Sequence, residues 1–160
     1  MITGNYKIIY EDELKVGMKG AFSKRVSKED VEEFAKVTGD YNPMHMDDDF
    51  AKETQFHGRI AHGMISAGMI SACLGTKMPG PGAIYLGQTL KFDKPVHFDD
   101  VLVVQVEVVK IVPKKHFKIA TLSTTVTNQD GVVVTEGEAT IMPASDHKVS
   151  FFHECSIHPC

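Results

Sequence analysis

The 160-residue sequence has no apolar run long enough to cross a bilayer, so a transmembrane helix is excluded. It has little cysteine. Cys73, Cys155 and Cys160 are too few and too odd in number for a disulfide framework, and reduced thiols are expected. It has no excess of positive charge either. A formal net charge of -4 leaves no electrostatic footprint for nucleic acid, so an anionic ligand must be met by local groups. Lys114-Lys115 reads as a solvated pair in a hairpin loop. Between Met1 and Leu14 there is no signal-peptide core, because Lys7, Glu11, Asp12 and Glu13 break up the apolar residues, and a cytoplasmic location is expected. Internal repeats and low-complexity tracts are absent. What is present is ordinary for a globular chain, 42% hydrophobic and 24% charged, at a length that supports one domain with a core of its own.

Ser27 can cap a helix over Glu29 to Lys36, with Val31, Phe34, Ala35 and Val37 on one stripe and a stop at Gly39. Asn42 and Pro43 predict that Asp40 to Met46 is not regular helix, since the residue before a proline is pushed out of the α region. The acidic turn Asp47 to Lys52 starts another helix, its aspartates explained by capping and dipole complementarity rather than by a cation site. Thr54 to Ile60 reads as a loop. From His62 to Leu74 every residue after the histidine is small or apolar, which predicts a central helix wrapped on most sides by protein.

The chain then changes period. Ala83 to Phe92, Val101 to Val112, Phe117 to Thr127 and Val132 to Met142 alternate as strands, the last two joined by a turn at Asn128-Gln129-Asp130-Gly131. Ala21 to Val26 adds a short strand, and Asp99-Asp100 reads as a solvated turn. Cys73 falls inside the apolar helix as a small core residue. The expected architecture is α+β, an antiparallel sheet curled around one long helix. Such a sheet leaves an exposed edge that a second copy would close, so a homodimer is expected.

Two islands carry chemistry. Thr38-Gly39-Asp40-Tyr41-Asn42-Pro43-Met44-His45 supplies a carboxylate and an imidazole across a turn stiffened by Pro43. His62-Gly63-Met64 opens the apolar helix, where main-chain N–H groups lack intrahelical partners and negative charge is favoured. Adding water to a polarised double bond needs a base for the water, an acid for the adjacent carbon, and a donor for the oxygen that gains charge. Asp40 and His45 supply the first two, with Asp40 as the principal base; a close pair titrates as a unit, so the roles interchange. The amide of Gly63, unobstructed by a side chain, is the oxyanion donor. Taken singly, Asp40 and Asn42 are ordinary turn formers and His45 a surface residue.

These islands, with Ser71 and the strand Ile84-Tyr85-Leu86-Gly87-Gln88, resemble the MaoC-like (R)-specific enoyl-CoA hydratases of the hot-dog fold, over about Val16 to Met142. The resemblance implies a single hot-dog domain, a dimer with a thioester tunnel between subunits, and no metal or redox cofactor. It implies syn addition of water to a trans-2-enoyl thioester of CoA or acyl carrier protein, giving the (R)-3-hydroxyacyl thioester. It also implies a supporting role for Ser71, which otherwise hydrogen-bonds its own helix. Asn42 either caps the turn or braces the catalytic pair. His62, Met64 and Gly82 are candidate substrate contacts. Against this, His62 fits a helix start, Met64, Met69 and Met78 fit plain core as well as an acyl pocket, and Pro79-Gly80-Pro81-Gly82 fits a rigid connector as well as a pantetheine contact.

The domain is expected to span 1–143. An extension, 144–160, expected to be weakly ordered or to dock as a strand on the partner, carries His147, His153, Cys155, His158 and Cys160 at a spacing that matches no defensible zinc pattern, and no metal is assigned to it. Two competing readings remain: a hot-dog acyl-CoA thioesterase using the same aspartate to direct water at the carbonyl, and an acyl-thioester-binding module without turnover.

Overall fold

The computed structural model describes residues 6–145; the histidine- and cysteine-bearing tail lies outside the described residues. Five strands form a continuous antiparallel path. β1 (Lys19–Arg25), β2 (Ile84–Gln88), β4 (Val101–Pro113), β5 (Lys118–Thr127) and β6 (Val133–Met142) lie in the order β1-β4-β5-β6-β2, and the two-residue β3 (Lys91–Phe92) also pairs with β6. The alternation that marks β5 as a strand places Ala120, Leu122, Thr124 and Val126 on one buried face. Leu102, Val104, Val106 and Val108 of β4 lie on the same side, and a register shift after Val108 changes the phase toward Ile111. Between β5 and β6, Gly131 takes a φ of 74° and the Asn128 N–H donates to the Val132 carbonyl at 3.0 Å, which closes the expected hairpin.

The central helix α4 (Gly63–Thr76) packs on β1, β4 and β5. Its buried residues, Ser66, Met69, Ile70, Cys73 and Leu74, follow the three-and-four spacing of one helix face. The opposite stripe, Met64, Gly68, Ser71 and Gly75, faces outward, so this chain alone covers less of the helix than its uniform apolarity predicts. Met69 and Met78 are core residues, 4% and 1% exposed. Burial pushes the Cys73 thiol up to about 11, and it stays protonated and inert. No helix among the described residues is long and apolar enough to cross a membrane.

Several local expectations need correction. Helix α1 (Lys28–Thr38) has the expected Ser27 cap, completed by Asp30 as a reciprocal capping box, yet Val37 is 86% exposed rather than part of the buried stripe. Asp40 to Met46 is partly helical: α2 (Pro43–Met46) starts at the proline, whose missing N–H is harmless at a first helical position. The helix expected from the acidic turn is present as α3 (Asp48–Lys52), with Asp47 as its cap. The single strand expected over Ala83 to Phe92 is broken into β2 and β3. At the break Thr89 docks onto β6, its N–H donating to the Glu138 carbonyl and its Oγ1 accepting from the Glu138 N–H, and only a glycine at 137 leaves room for it. Asp100 is 8% exposed, because its carboxylate accepts from the His97 N–H and the Gln129 amide.

Candidate active site

The site forms where the end of α1, the short helix α2 and the start of α4 converge. Gly39 ends α1 in the left-handed region, φ 80°, with its N–H bonded to the Ala35 carbonyl, and so reverses the chain. Thr38 Oγ1 then accepts from the Asp40 N–H at 3.2 Å. Asn42 caps α2, its side-chain oxygen accepting from the Met44 N–H, while its own N–H donates to Asp40 Oδ1 at 3.2 Å. It therefore caps with its side chain and braces Asp40 with its backbone.

The ring of His45 is oriented by the loop before α4. Its Nδ1–H donates to the Ile60 carbonyl at 2.8 Å, which leaves the lone pair on Nε2. Burial holds this imidazole below its ordinary value of 6.5; nearby His62 and Arg59 act in the same direction, while the Ile60 carbonyl and Asp40 oppose it. His45 is neutral, and therefore a competent proton acceptor, at neutral pH.

His62 precedes α4 as its cap residue but makes no side-chain capping bond. It is 2% exposed, and its Nε2–H donates to the main-chain carbonyl of Asp40 at 2.9 Å. Its ring lies 4.0 Å from that of His45 and 4.7 Å from that of Phe34, centroid to centroid. Nε2 is also 3.9 Å from Asp40 Oδ2. His62 thus joins Asp40 and His45 in one packed unit and is itself almost fully buried.

Asp40, His45 and His62 are the one group of this kind among the described residues whose potential ligating atoms all lie within 4.8 Å of one another. Each histidine already commits one ring nitrogen to a main-chain carbonyl. Beside them lies a cleft of about 380 Å³, lined by Asp40, His45, His62, Gly63 and Met64 together with Phe56, Phe92 and Thr135. Gly63 is the first residue of α4, where an N–H has no intrahelical acceptor. A Cβ there would come within 2.9 Å of the Phe92 ring, so the missing side chain also makes room for that aromatic wall.

Of the residues singled out in the sequence, Asp40, His45, His62, Gly63 and Met64 come together on this cleft, with Met64 51% exposed at its margin. Ser71 lies on the outward stripe of α4 and Gly82 is exposed in the loop before β2; neither lines the cleft. Sequence reasoning missed Arg59, whose buried guanidinium reaches the His45 carbonyl, and Thr135, which binds Ser66 beneath the cleft at 2.8 Å. Arg59 sits in a loop without periodicity, and Thr135 reads as one more strand residue.

Comparison with known proteins places the chain in a family. Residues 12–132 match the family described as MaoC like domain. The chain is 48% identical to the (R)-specific enoyl-CoA hydratase of Rhodospirillum rubrum, covering 83% of this chain and 90% of that one. It is 44% identical to the 3-hydroxybutyryl-CoA dehydratase of Methylorubrum extorquens, covering 84% of each. Among solved structures, the R-hydratase PhaJ1 from Pseudomonas aeruginosa superposes with a TM-score of 0.81 at 45% identity, covering 87% of this chain and 88% of that one. The sheet wrapped on a single long helix is the hot-dog fold. With residues 12–132 matched by the family model and a relative 48% identical over most of both chains, the chain belongs to the MaoC-like domain family.

Proposed function

We propose that this protein is an (R)-specific enoyl-CoA hydratase, which adds water reversibly and syn to a trans-2-enoyl-CoA to give the (R)-3-hydroxyacyl-CoA. The observation that carries the reading is the convergence of Asp40 and His45, whose Nδ1 is committed to Ile60, on a cleft that also receives the first turn of α4. One water accepted between the carboxylate and the imidazole loses a proton to the pair as its oxygen bonds to C3. The thioester oxygen gains charge as the double bond shifts, and the Gly63 N–H stabilises it there. The pair then delivers the proton to C2, so both added atoms arrive from one face and the enzyme returns to its starting state. Asp40 is the principal base, with His45 as its partner in holding the water and moving the proton. Names of relatives at 48% and 44% identity support coenzyme A as the carrier.

The working unit is a homodimer. Ile84, Tyr85, Leu86 and Phe92 are all more than a third exposed along the β2 and β3 edge, and Phe92 also walls the cleft. A second copy docked on that edge would cover these residues and enclose the thioester.

Incubation with crotonyl-CoA, followed by enone absorbance and free thiol together, tests the activity. Loss of enone without thiol release is the expected result. Thiol release would identify a thioesterase, and no change in either signal would leave only a binding protein; both overturn the proposal.

A further inference from the structure

Residues Arg59 and Ile60 hold His45 from two directions. The Ile60 carbonyl accepts the ring Nδ1–H, and the Arg59 Nε–H donates to the His45 carbonyl at 2.6 Å. The next residue anchors this loop in the core, the Ala61 N–H donating to the Val96 carbonyl at 2.8 Å. The Arg59 side chain is 5% exposed; one of its terminal nitrogens lies 3.9 Å from Asp48 Oδ2, and the guanidinium sits 5.0 Å from the centre of the Phe98 ring. Its other terminal nitrogen, Nη2, is buried and has no hydrogen-bond partner among the described residues.

Burying a guanidinium is costly unless its donors are used, and an apolar side chain of similar volume often serves stability as well. The Nε–H bond of Arg59, at 2.6 Å, goes to the main chain of the proposed catalytic histidine. We propose that Arg59 is a positioning residue: it fixes the end of α2 so that the His45 ring meets the Ile60 carbonyl through Nδ1 and presents Nε2 to the cleft. The catalytic part of this inference rests on the hydratase reading; the orientation of the ring does not.

The charged and titratable groups that face His45 are His62, Asp40 and Arg59, with Asp48 beyond the guanidinium. Removing the Arg59 charge takes away one influence that holds the imidazole down. Arg59→Met keeps an unbranched side chain as far as the Nε position but removes the donor, the charge and the guanidinium that lies over Phe98; Arg59→Lys keeps the charge and removes the Nε donor. Both should lower kcat by about 10–100-fold, by analogy with the loss of a group that orients a metal-bound histidine, with KM changed less than about twofold. The acid limb of the rate profile should move to higher pH in Arg59→Met and less so in Arg59→Lys.

Histidine-ring ¹⁵N spectra over pH give a readout that does not depend on turnover. The wild-type His45 should show a single Nδ1–H tautomer that titrates below the ordinary histidine range. A folded Arg59 variant should show mixed tautomers. Wild-type His45 without a dominant Nδ1–H form would overturn the proposal even if neither variant folds. So would a folded variant whose His45 spectrum and kcat match the wild type. Altered ring spectra in a protein that hydrates nothing would sustain the positioning role while removing the hydratase assignment.

Discussion

At the residue scale, the site depends on what each polar group is already bonded to. Asp40 keeps a half-exposed carboxylate directed by the Asn42 N–H, whereas His45 gives up Nδ1 to Ile60 and retains Nε2. Replacing either Asp40 or His45 by alanine should lower kcat by roughly 10²–10⁴-fold, the range for losing acid–base assistance, with the circular-dichroism spectrum unchanged. Near-normal turnover in both variants would refute their assignment. The pH dependence has a definite sign. Burial lowers the His45 value in the folded chain, so the rate should fall on the acid side with an apparent value below 6.5, measured as kcat/KM against pH. Stability follows the same direction. His45 protonates more easily in the unfolded chain, so its contribution is complete above 6.5 and is lost as pH falls from there toward the folded value. The Asp-x-Asn-Pro-x-His pattern made both residues legible in the sequence. Arg59 was not legible, because its role depends on a carbonyl that a short helix presents from fourteen residues earlier.

At the scale of elements, the strands and the central helix were readable because burial imposes a period of two or of about 3.6 on the residues. Local exceptions were less readable. Pro43 looked like a helix breaker, yet at the first helical position it helps to start α2, the element that carries His45. The break between β2 and β3 had no sequence signal, since it comes from the close approach of Thr89 to β6. An added Cβ at Gly137 would lie 1.8 Å from the Thr89 carbonyl oxygen, far inside contact distance, and main chain must move to relieve it. Gly137→Ala should therefore destabilise the fold by about 1–3 kcal/mol, comparable to overpacking elsewhere in a core, as read from the urea midpoint. A midpoint equal to that of the wild type would mean that the β2–β3 crossing is looser than described.

For the whole molecule, the sheet leaves an apolar edge at β2, which was implicit in the sequence as an unclosed sheet, whereas it covers only one stripe of α4, less than the helix's uniform apolarity led one to expect. What the sequence could not show is that this edge adjoins the cleft through Phe92. Chains of 17.6 kDa should therefore sediment as dimers. Leu86→Asp would bury a charge in the proposed interface and should weaken association by at least about a hundredfold, equivalent to roughly 3 kcal/mol. A wild-type chain that remains monomeric at micromolar concentration would remove the proposed dimer.

The central claim is that one water, held by Asp40 and His45 on a single face of the substrate, provides both added groups. Hydration of crotonyl-CoA in D₂O, with the product resolved by proton NMR and its C3 configuration determined, tests this most directly. The assignment predicts one deuteron at C2, placed syn to an (R)-hydroxyl at C3. An anti or scrambled deuteron, or an (S)-hydroxyl, would contradict it.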